Sequence, residues 1–338
     1  MIERYSRQQL FTPIGSKGQE KIRNKHVLIV GAGALGSASA EALVRAGIGK
    51  LTIIDRDYVE WSNLQRQQLY VEQDATEKLP KAIAAQNRLK QINSEVQIDA
   101  LVMDARIENM EVLLGDVDII IDATDNFDIR FVINDLSQKY DIPWIYGSCV
   151  GGYGMSYTII PRKTPCLHCV LKSVPVTGAT CDTVGIISPA VQMVAAYQVV
   201  EAFKILVEDF SAIRNTFLMF DIWSNQYHSV KLEKIKTDNC PSCGTHRTYP
   251  YLSYENQTKT AVLCGRNTVQ IRPPHNSRYN FDHLEKQLKK HGKVDRNPYL
   301  LSCQLDDYRF VMFQDGRVFI HGTNEIQKAK KIYYRLLG

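Results

Sequence analysis

Apolar runs long enough to cross a bilayer, about 20 residues, are absent from this 338-residue chain. The opening Met1-Ile2-Glu3-Arg4 is too polar for a secretion signal. No membrane role is expected, and the expected compartment is the cytoplasm. A large excess of one charge is missing too: the formal net charge is +5, and the one dense basic run, Lys286 to Lys293, falls on a predicted helix and reads as a solvated face. A nucleic-acid partner is therefore not expected. Internal repeats and low-complexity tracts are missing, which leaves ordinary globular domains. Without a secretion signal, the eight cysteines do not read as a disulfide scaffold and point to metal or sulfur chemistry. What remains, 44% hydrophobic and 23% charged, is the composition of a soluble globular protein, long enough for a large core domain plus a smaller one.

The chain is organised around Val27-Leu28-Ile29-Val30-Gly31-Ala32-Gly33-Ala34-Leu35-Gly36, an apolar strand running into G-x-G-x-x-G. Gly31 allows the tight turn, Gly33 lets a phosphate approach the backbone, and Gly36 lets the next helix pack closely with its N-terminal N–H groups aimed at the anion. About twenty residues on, Leu51-Thr52-Ile53-Ile54-Asp55 is a second strand whose carboxylate suits a ribose hydroxyl. Together they predict one mononucleotide half-site.

Residues 1–24 form a polar arm that reads as a flexible leader. A helix from Ala38 to Ala46, a polar loop from Asp55 to Gln67, a helix from Ala82 to Ile92 and strands at Val96–Leu101, Val117–Asp122 and Trp144–Ser148 follow. A helix of mixed polarity runs from about Arg130 to Tyr140. This alternation predicts an α/β fold, a Rossmann-like and mostly parallel sheet. Farther on, a strand is expected at Ser156–Ile160, a core helix from Ser188 to Val207, and strands at Thr216–Asp221 and Tyr227–Leu232. The expected domains are 1–247, a linker over 248–260, and a small α+β domain over 261–338 in the order β-α-β-β-α, from Ala261–Ile271, Phe281–His291, Tyr299–Phe313, Gly316–His321 and Asn324–Leu336. Cys264 and Cys303 read as buried apolar residues there.

Two knuckles, Cys166-x-x-Cys169 and Cys240-x-x-Cys243, predict a closed tetrahedral structural zinc site. Such a site would add roughly 10 kcal/mol or more of apparent binding energy to the fold. A redox-active pair is the alternative for one CxxC, and His168 and His246 lie near enough in sequence to be substitute ligands.

A second cluster comprises Asp57, Asn63, Gln65, Arg66, Lys81 and Asp125. Arg66 and Lys81 border the crevice and suit a triphosphate, while Asp125 suits the Mg²⁺ on it. A dinucleotide enzyme normally needs a second half-site and a catalytic acid or base, neither of which is evident. The set therefore favours adenylation with ATP over an NAD-dependent oxidoreductase, with a non-catalytic binding scaffold as a further alternative.

With these residues in view, the chain resembles the ThiF/MoeB/HesA family, bacterial relatives of ubiquitin-activating E1 enzymes, over roughly residues 3–246. The resemblance rests on Arg4-Tyr5-Ser6-Arg7-Gln8, the Gly31–Gly36 turn, Asp55-x-Asp57, Ser62-Asn63-Leu64-Gln65-Arg66-Gln67, Lys81, Asp122-Ala123-Thr124-Asp125-Asn126 and both knuckles. It implies that ATP and the Gly-Gly carboxylate of a ubiquitin-like sulfur carrier, ThiS-like or MoaD-like, react to an acyl-adenylate and pyrophosphate, in thiamine thiazole or molybdenum cofactor synthesis. It further implies that Gly31, Gly33 and Asp55 hold the nucleotide, that Asn63, Arg66 and Lys81 steady the phosphates, and that Asp125 binds Mg²⁺. Arg7 would reach the neighbouring site of a homodimer. Cys181 aligns with a cysteine that joins the carrier through an acyl-persulfide in some members and is dispensable in others, so direct sulfur chemistry and a lid-loop role both stand. A sulfur donor such as a cysteine desulfurase is implied. The segment from about 248 lies outside the minimal family and is expected to help dock the carrier or the donor.

Overall fold

Strands buried on both faces need helices on both faces, and the order of elements supplies them. The computed structural model describes residues 3–171, 184–253, 260–263, 267–271 and 279–337, which form two compact units, one of residues 3–171 and 186–253 and one of residues 184–185, 260–263, 267–271 and 279–337. The first opens with α1 (Ser6–Leu10), α2 (Gly15–Arg23), β1 (His26–Val30), α3 (Ala34–Ala46) and β2 (Lys50–Asp55). Next come α4 (Glu72–Thr76), α5 (Lys81–Ile92), β3 (Gln97–Val102), α6 (Ile107–Leu113), β4 (Ile119–Asp122) and α7 (Phe127–Tyr140). It closes with β5 (Trp144–Val150), β6 (Tyr153–Ile159), α8 (Leu167–Leu171), α9 (Ser188–Leu206), β7 (Thr216–Asp221) and β8 (Gln226–Lys231).

These strands form one sheet in the order β3-β2-β1-β4-β5-β6-β7-β8. The first five run parallel, and β6, β7 and β8 continue the sheet antiparallel. Side chains of β1 alternate between two cores, as a pleated strand requires. Val27 and Ile29 pack with Leu43, Leu89 and Leu206 on one face, and Leu28 and Val30 with Met110, Ile133 and Leu136 on the other. The antiparallel extension stands where a second mononucleotide half would need parallel strands, which removes the structural basis for the oxidoreductase alternative.

The polar arm is not a flexible leader. Tyr5 and Ile22 are buried, and Tyr5 Oη accepts a hydrogen bond from Asn93 Nδ2 at 2.8 Å. Gln8 Nε2 and Gln19 Nε2 both donate to the Ala46 carbonyl, at 3.1 and 2.9 Å. That carbonyl is one of the orphan acceptors at the end of α3, so the arm's polar residues serve as a cap supplied by distant chain. A polar sequence without an apolar stripe gave no sign of this.

The start of the expected linker is packed as well. The Thr248 and Tyr249 N–H groups donate to the Pro241 carbonyl at 2.9 and 3.1 Å, and the turn at Pro250–Leu252 lies against α7.

In the second unit, β9 (Thr260–Leu263), β10 (Thr268–Ile271), α10 (Phe281–Leu288), β11 (Lys293–Arg296), β12 (Leu300–Gln304), β13 (Arg309–Phe313), β14 (Val318–His321) and α11 (Ile326–Leu337) follow in order. The sheet, β11-β12-β13-β14-β10-β9, is wholly antiparallel. Both helices bury leucines in a core with Phe310, Met312 and the apolar Cys303. Two stretches expected as single strands, Ala261–Ile271 and Tyr299–Phe313, are each two strands. In the second the chain reverses between Gln304 and Arg309, at Asp306-Asp307. Lys286, Lys289, Lys290 and Lys293 are exposed, and Lys289 pairs with Glu285 at 2.7 Å. Cys264 lies outside the described residues.

Candidate active site and metal cluster

The glycine turn, Asp55 and the Asp122–Asn126 turn stand at the carboxyl ends of β1, β2 and β4, where the crevice is expected. Gly31 has φ +100°, and a Cβ there would meet the Ala123 carbonyl at 2.5 Å; a Cβ on Gly36 would meet the Gly31 carbonyl at 1.9 Å. Both positions demand glycine because backbone approaches backbone. Gly33 differs: a Cβ would find only Gln67 Nε2, at 4.0 Å, so the space above it is open. The helix starting at Ala34 has no side-chain cap, leaving its first N–H groups directed at that space. These features fit a phosphate cradle.

Asp55 braces the cradle. Its Oδ2 accepts the Ala32 N–H and its Oδ1 the Asp57 N–H, both at 2.6 Å. Burial pushes its carboxyl above the usual carboxylate range, partly opposed by the Lys81 ammonium. The loop after β2 is tied to the start of α5 by Val59 N–H to Leu79 O at 2.8 Å and Lys81 N–H to Asp57 O at 2.9 Å. That register sets Lys81, only 2% exposed, with Nζ 3.3 Å from Asp57 Oδ2. Tyr70 Oη donates to the Ala32 carbonyl at 2.5 Å and reaches the Lys81 carbonyl at 3.2 Å, joining cradle and lysine.

Asn63 is buried in the loop, where its Oδ1 accepts the Glu60 N–H at 3.1 Å. Arg66 Nη1 donates to the Ser62 carbonyl at 2.9 Å, and Gln65 is exposed. Asp125 is exposed on the turn after β4; the burial that disfavours charge on the Arg56 and Arg130 guanidinium groups is offset chiefly by Asp104 and Asp122 respectively, with Asp125 adding a smaller contribution to each. Arg7 stands exposed on α1 and, among the described residues, has no hydrogen bond or ion pair with the crevice. Cys181 lies outside the described residues.

Sequence reasoning missed Arg130. It is buried, its Nε donates to Asp122 Oδ2 at 2.9 Å, and its Nη2 donates to the Thr124 and Gly147 carbonyls at 2.7 and 3.0 Å. Asp122 Oδ1 in turn accepts the Thr124 N–H and hydroxyl at 2.9 and 2.7 Å, which shapes the turn carrying Asp125. The available signal was the mixed polarity of α7. Gln198 was missed too: from α9 its Nε2 donates to the Asp122 carbonyl at 2.7 Å.

The four knuckle cysteines are buried, and their sulfurs all lie within 4.8 Å of one another. The Cys166–Cys169, Cys166–Cys240 and Cys169–Cys243 separations are 4.0, 3.6 and 3.6 Å. A tetrahedron with Zn–S bonds of about 2.3 Å has edges of about 3.8 Å, so the donor set fits a metal ion. Among the described residues neither His168 nor His246 joins the cluster, and the His168 ring sits beside Phe131 and Tyr251. No helix of the described residues is long and apolar enough to cross a membrane.

The sequence profile of the ThiF family matches residues 5–242. The chain is 54% identical over 339 residues to the sulfur carrier protein ThiS adenylyltransferase of Bacillus subtilis, covering 100% of each. It is 34% identical over 248 residues to the protein of that description from Escherichia coli, covering 73% of this chain and 97% of that one. Its fold is like that of E. coli MccB, solved with ATP, at a TM-score of 0.61 and 22% identity, over 72% of this chain and 74% of MccB. With the family's profile matched across the sheet, the crevice and most of the cysteine cluster, the chain belongs to the ThiF family.

Proposed function

We propose that this protein is an adenylyltransferase that uses ATP to activate the C-terminal glycine carboxylate of a ubiquitin-like sulfur carrier, ThiS-like before MoaD-like, in the cytoplasm. The observation that carries the reaction class is the open cradle at Gly33, flanked by the uncapped start of α3 and the buried Lys81. The full-length likeness to a relative named for ThiS supports the carrier and, with it, thiazole over molybdenum cofactor synthesis.

In the reaction the carrier carboxylate, already ionised at neutral pH, attacks the α-phosphorus of ATP. The bond from that phosphorus to the bridging oxygen breaks, and pyrophosphate leaves with the electron pair. No general base is needed, so the protein's part is positioning and charge neutralisation. Gly31, Gly33 and Asp55 hold the nucleotide; Asn63, Arg66 and Lys81 steady the phosphates. Asp125 is the residue to hold Mg²⁺, which when bound neutralises the departing pyrophosphate. Arg7 serves the neighbouring site of a homodimer, the four cysteines hold structural Zn²⁺, and Cys181 is available to sulfur chemistry fed by a donor such as a cysteine desulfurase.

ATP–pyrophosphate exchange with Mg²⁺, run with purified ThiS-like and MoaD-like carriers ending in Gly-Gly, tests this reading. Exchange with the ThiS-like carrier is the expected result. Exchange only with the MoaD-like carrier would move the protein to the other pathway, and exchange with neither would remove the adenylation reading.

A further inference from the structure

A helix lying on a parallel sheet normally turns only apolar side chains inward. Val132, Ile133 and Leu136 of α7 do so, yet the same helix buries Arg130, Asn134 and Asp135. Burying such groups costs free energy unless each finds a partner. Each partner lies in a different piece of chain. Arg130 holds Asp122 and the Thr124 carbonyl. One helical turn on, about 6 Å along the axis, Asn134 Oδ1 accepts the Leu167 N–H at 2.8 Å, inside the first cysteine knuckle. Asp135 Oδ2 accepts the Tyr251 N–H at 3.0 Å, and its Oδ1 accepts from Asn134 Nδ2 at 3.2 Å. The Tyr251 ring stacks on Phe131, with centroids 4.3 Å apart and planes 9° apart. Just before it, Thr248 and Tyr249 hold the Pro241 carbonyl inside the second knuckle.

We propose that α7 transmits the integrity of the four-cysteine cluster to the Asp122–Asn126 turn, with Asn134 and Asp135 as positioning residues for Asp125. The consequence for catalysis rests on the adenylation reading above; the coupling itself does not. A metal held by the four sulfurs would fix both knuckles, so that Asn134 and Asp135 keep their partners and α7 keeps Arg130 in place on Asp122. When the knuckles open, those buried polar groups lose their partners, and the helix yields toward water rather than leave them unsatisfied. Arg130 moves with it, and the turn loosens.

Hydrogen–deuterium exchange on the full chain reads this without relying on catalysis. Two comparisons are made: wild type before and after metal extraction with a mercurial and a chelator, and Asp135→Asn with its metal content measured. In both, amide exchange across 122–130 is expected to accelerate about tenfold, the effect of losing one buried hydrogen bond, while Lys50–Asp55 in β2 is unchanged. Acceleration of both segments alike, of neither, or a wild type that carries no metal overturns the proposal. Should Asp135→Asn not fold, the extraction of the wild type decides. In pyrophosphate exchange, Asp135→Asn is expected to raise the Mg²⁺ concentration for half-maximal rate about tenfold and to leave the KM for ATP at saturating Mg²⁺ within about twofold. Absence of exchange in the wild type would count against adenylation and leave the hydrogen-exchange result to judge the coupling.

Discussion

Gly33 and Gly36 sit three residues apart in one motif and answer to different constraints. A methyl on Gly36 would lie 1.9 Å from a carbonyl oxygen, whereas one on Gly33 would enter open space. Gly36→Ala should therefore cost about 3 kcal/mol of stability, read by denaturant unfolding. Gly33→Ala should unfold at an unchanged denaturant midpoint and raise the KM for ATP about tenfold or more, since the methyl fills the cradle a phosphate would occupy. Asp125 is exposed and holds up no part of the core, so Asp125→Ala should abolish adenylate formation with an unchanged thermal midpoint; retained activity would show that another group holds the metal. Asp55 carries a pH consequence. Burial raises its pKa, so its carboxylate takes up a proton at a higher pH than a free aspartate, and its hold on the Ala32 and Asp57 N–H groups weakens as pH falls through that raised value. The acid limb of kcat/KM for ATP should accordingly lie above about pH 4, the ordinary aspartate value.

Elements were legible where burial follows a period. The apolar run of β1, the β2 strand ending in Asp55 and the long helix α9 were all readable, because each is held by side chains that repeat at strand or helix spacing. The arm was not readable: α1 and α2 are held by Tyr5, Gln8 and Gln19 reaching α3 and Asn93, contacts that have no local period. Gln19→Leu should consequently destabilise the protein by about 1–3 kcal/mol, although it exchanges a polar residue for an apolar one, because it leaves a buried end-of-helix carbonyl with one donor fewer. The knuckles were readable from spacing alone. Their convergence across about seventy residues of sequence depends on β6 and the chain beyond β8 meeting at one place. Cys240→Ser should lower metal content and thermal midpoint together, as expected when metal binding contributes to folding.

At the scale of the molecule there are two compact units, and residues 250–252 belong to the first and pack on its α7. A chain ending after Asn256 should keep the thermal midpoint of the adenylation unit. One ending at residue 247, the boundary read from sequence, should melt several degrees lower, since it loses the Phe131–Tyr251 stack and the Asp135–Tyr251 hydrogen bond. Whether the second unit docks the carrier is tested by carrier affinity in the Asn256-terminated chain.

The sequence by itself determined the α/β class, the Gly-rich turn, the carboxylate at the end of β2 and the two cysteine pairs. Each is local: a period, a spacing or a residue type whose chemistry shows within a few positions. Only the tertiary structure decided that Lys81 is buried against Asp57, that Arg130 holds Asp122, that Gln198 reaches the end of β4 from a distant helix, and that a polar arm caps α3. These are contacts between polar groups far apart in sequence. Hydrogen-bond partners for buried charge are chosen by which segments the fold brings within about 3 Å, and no periodicity along the chain records that choice.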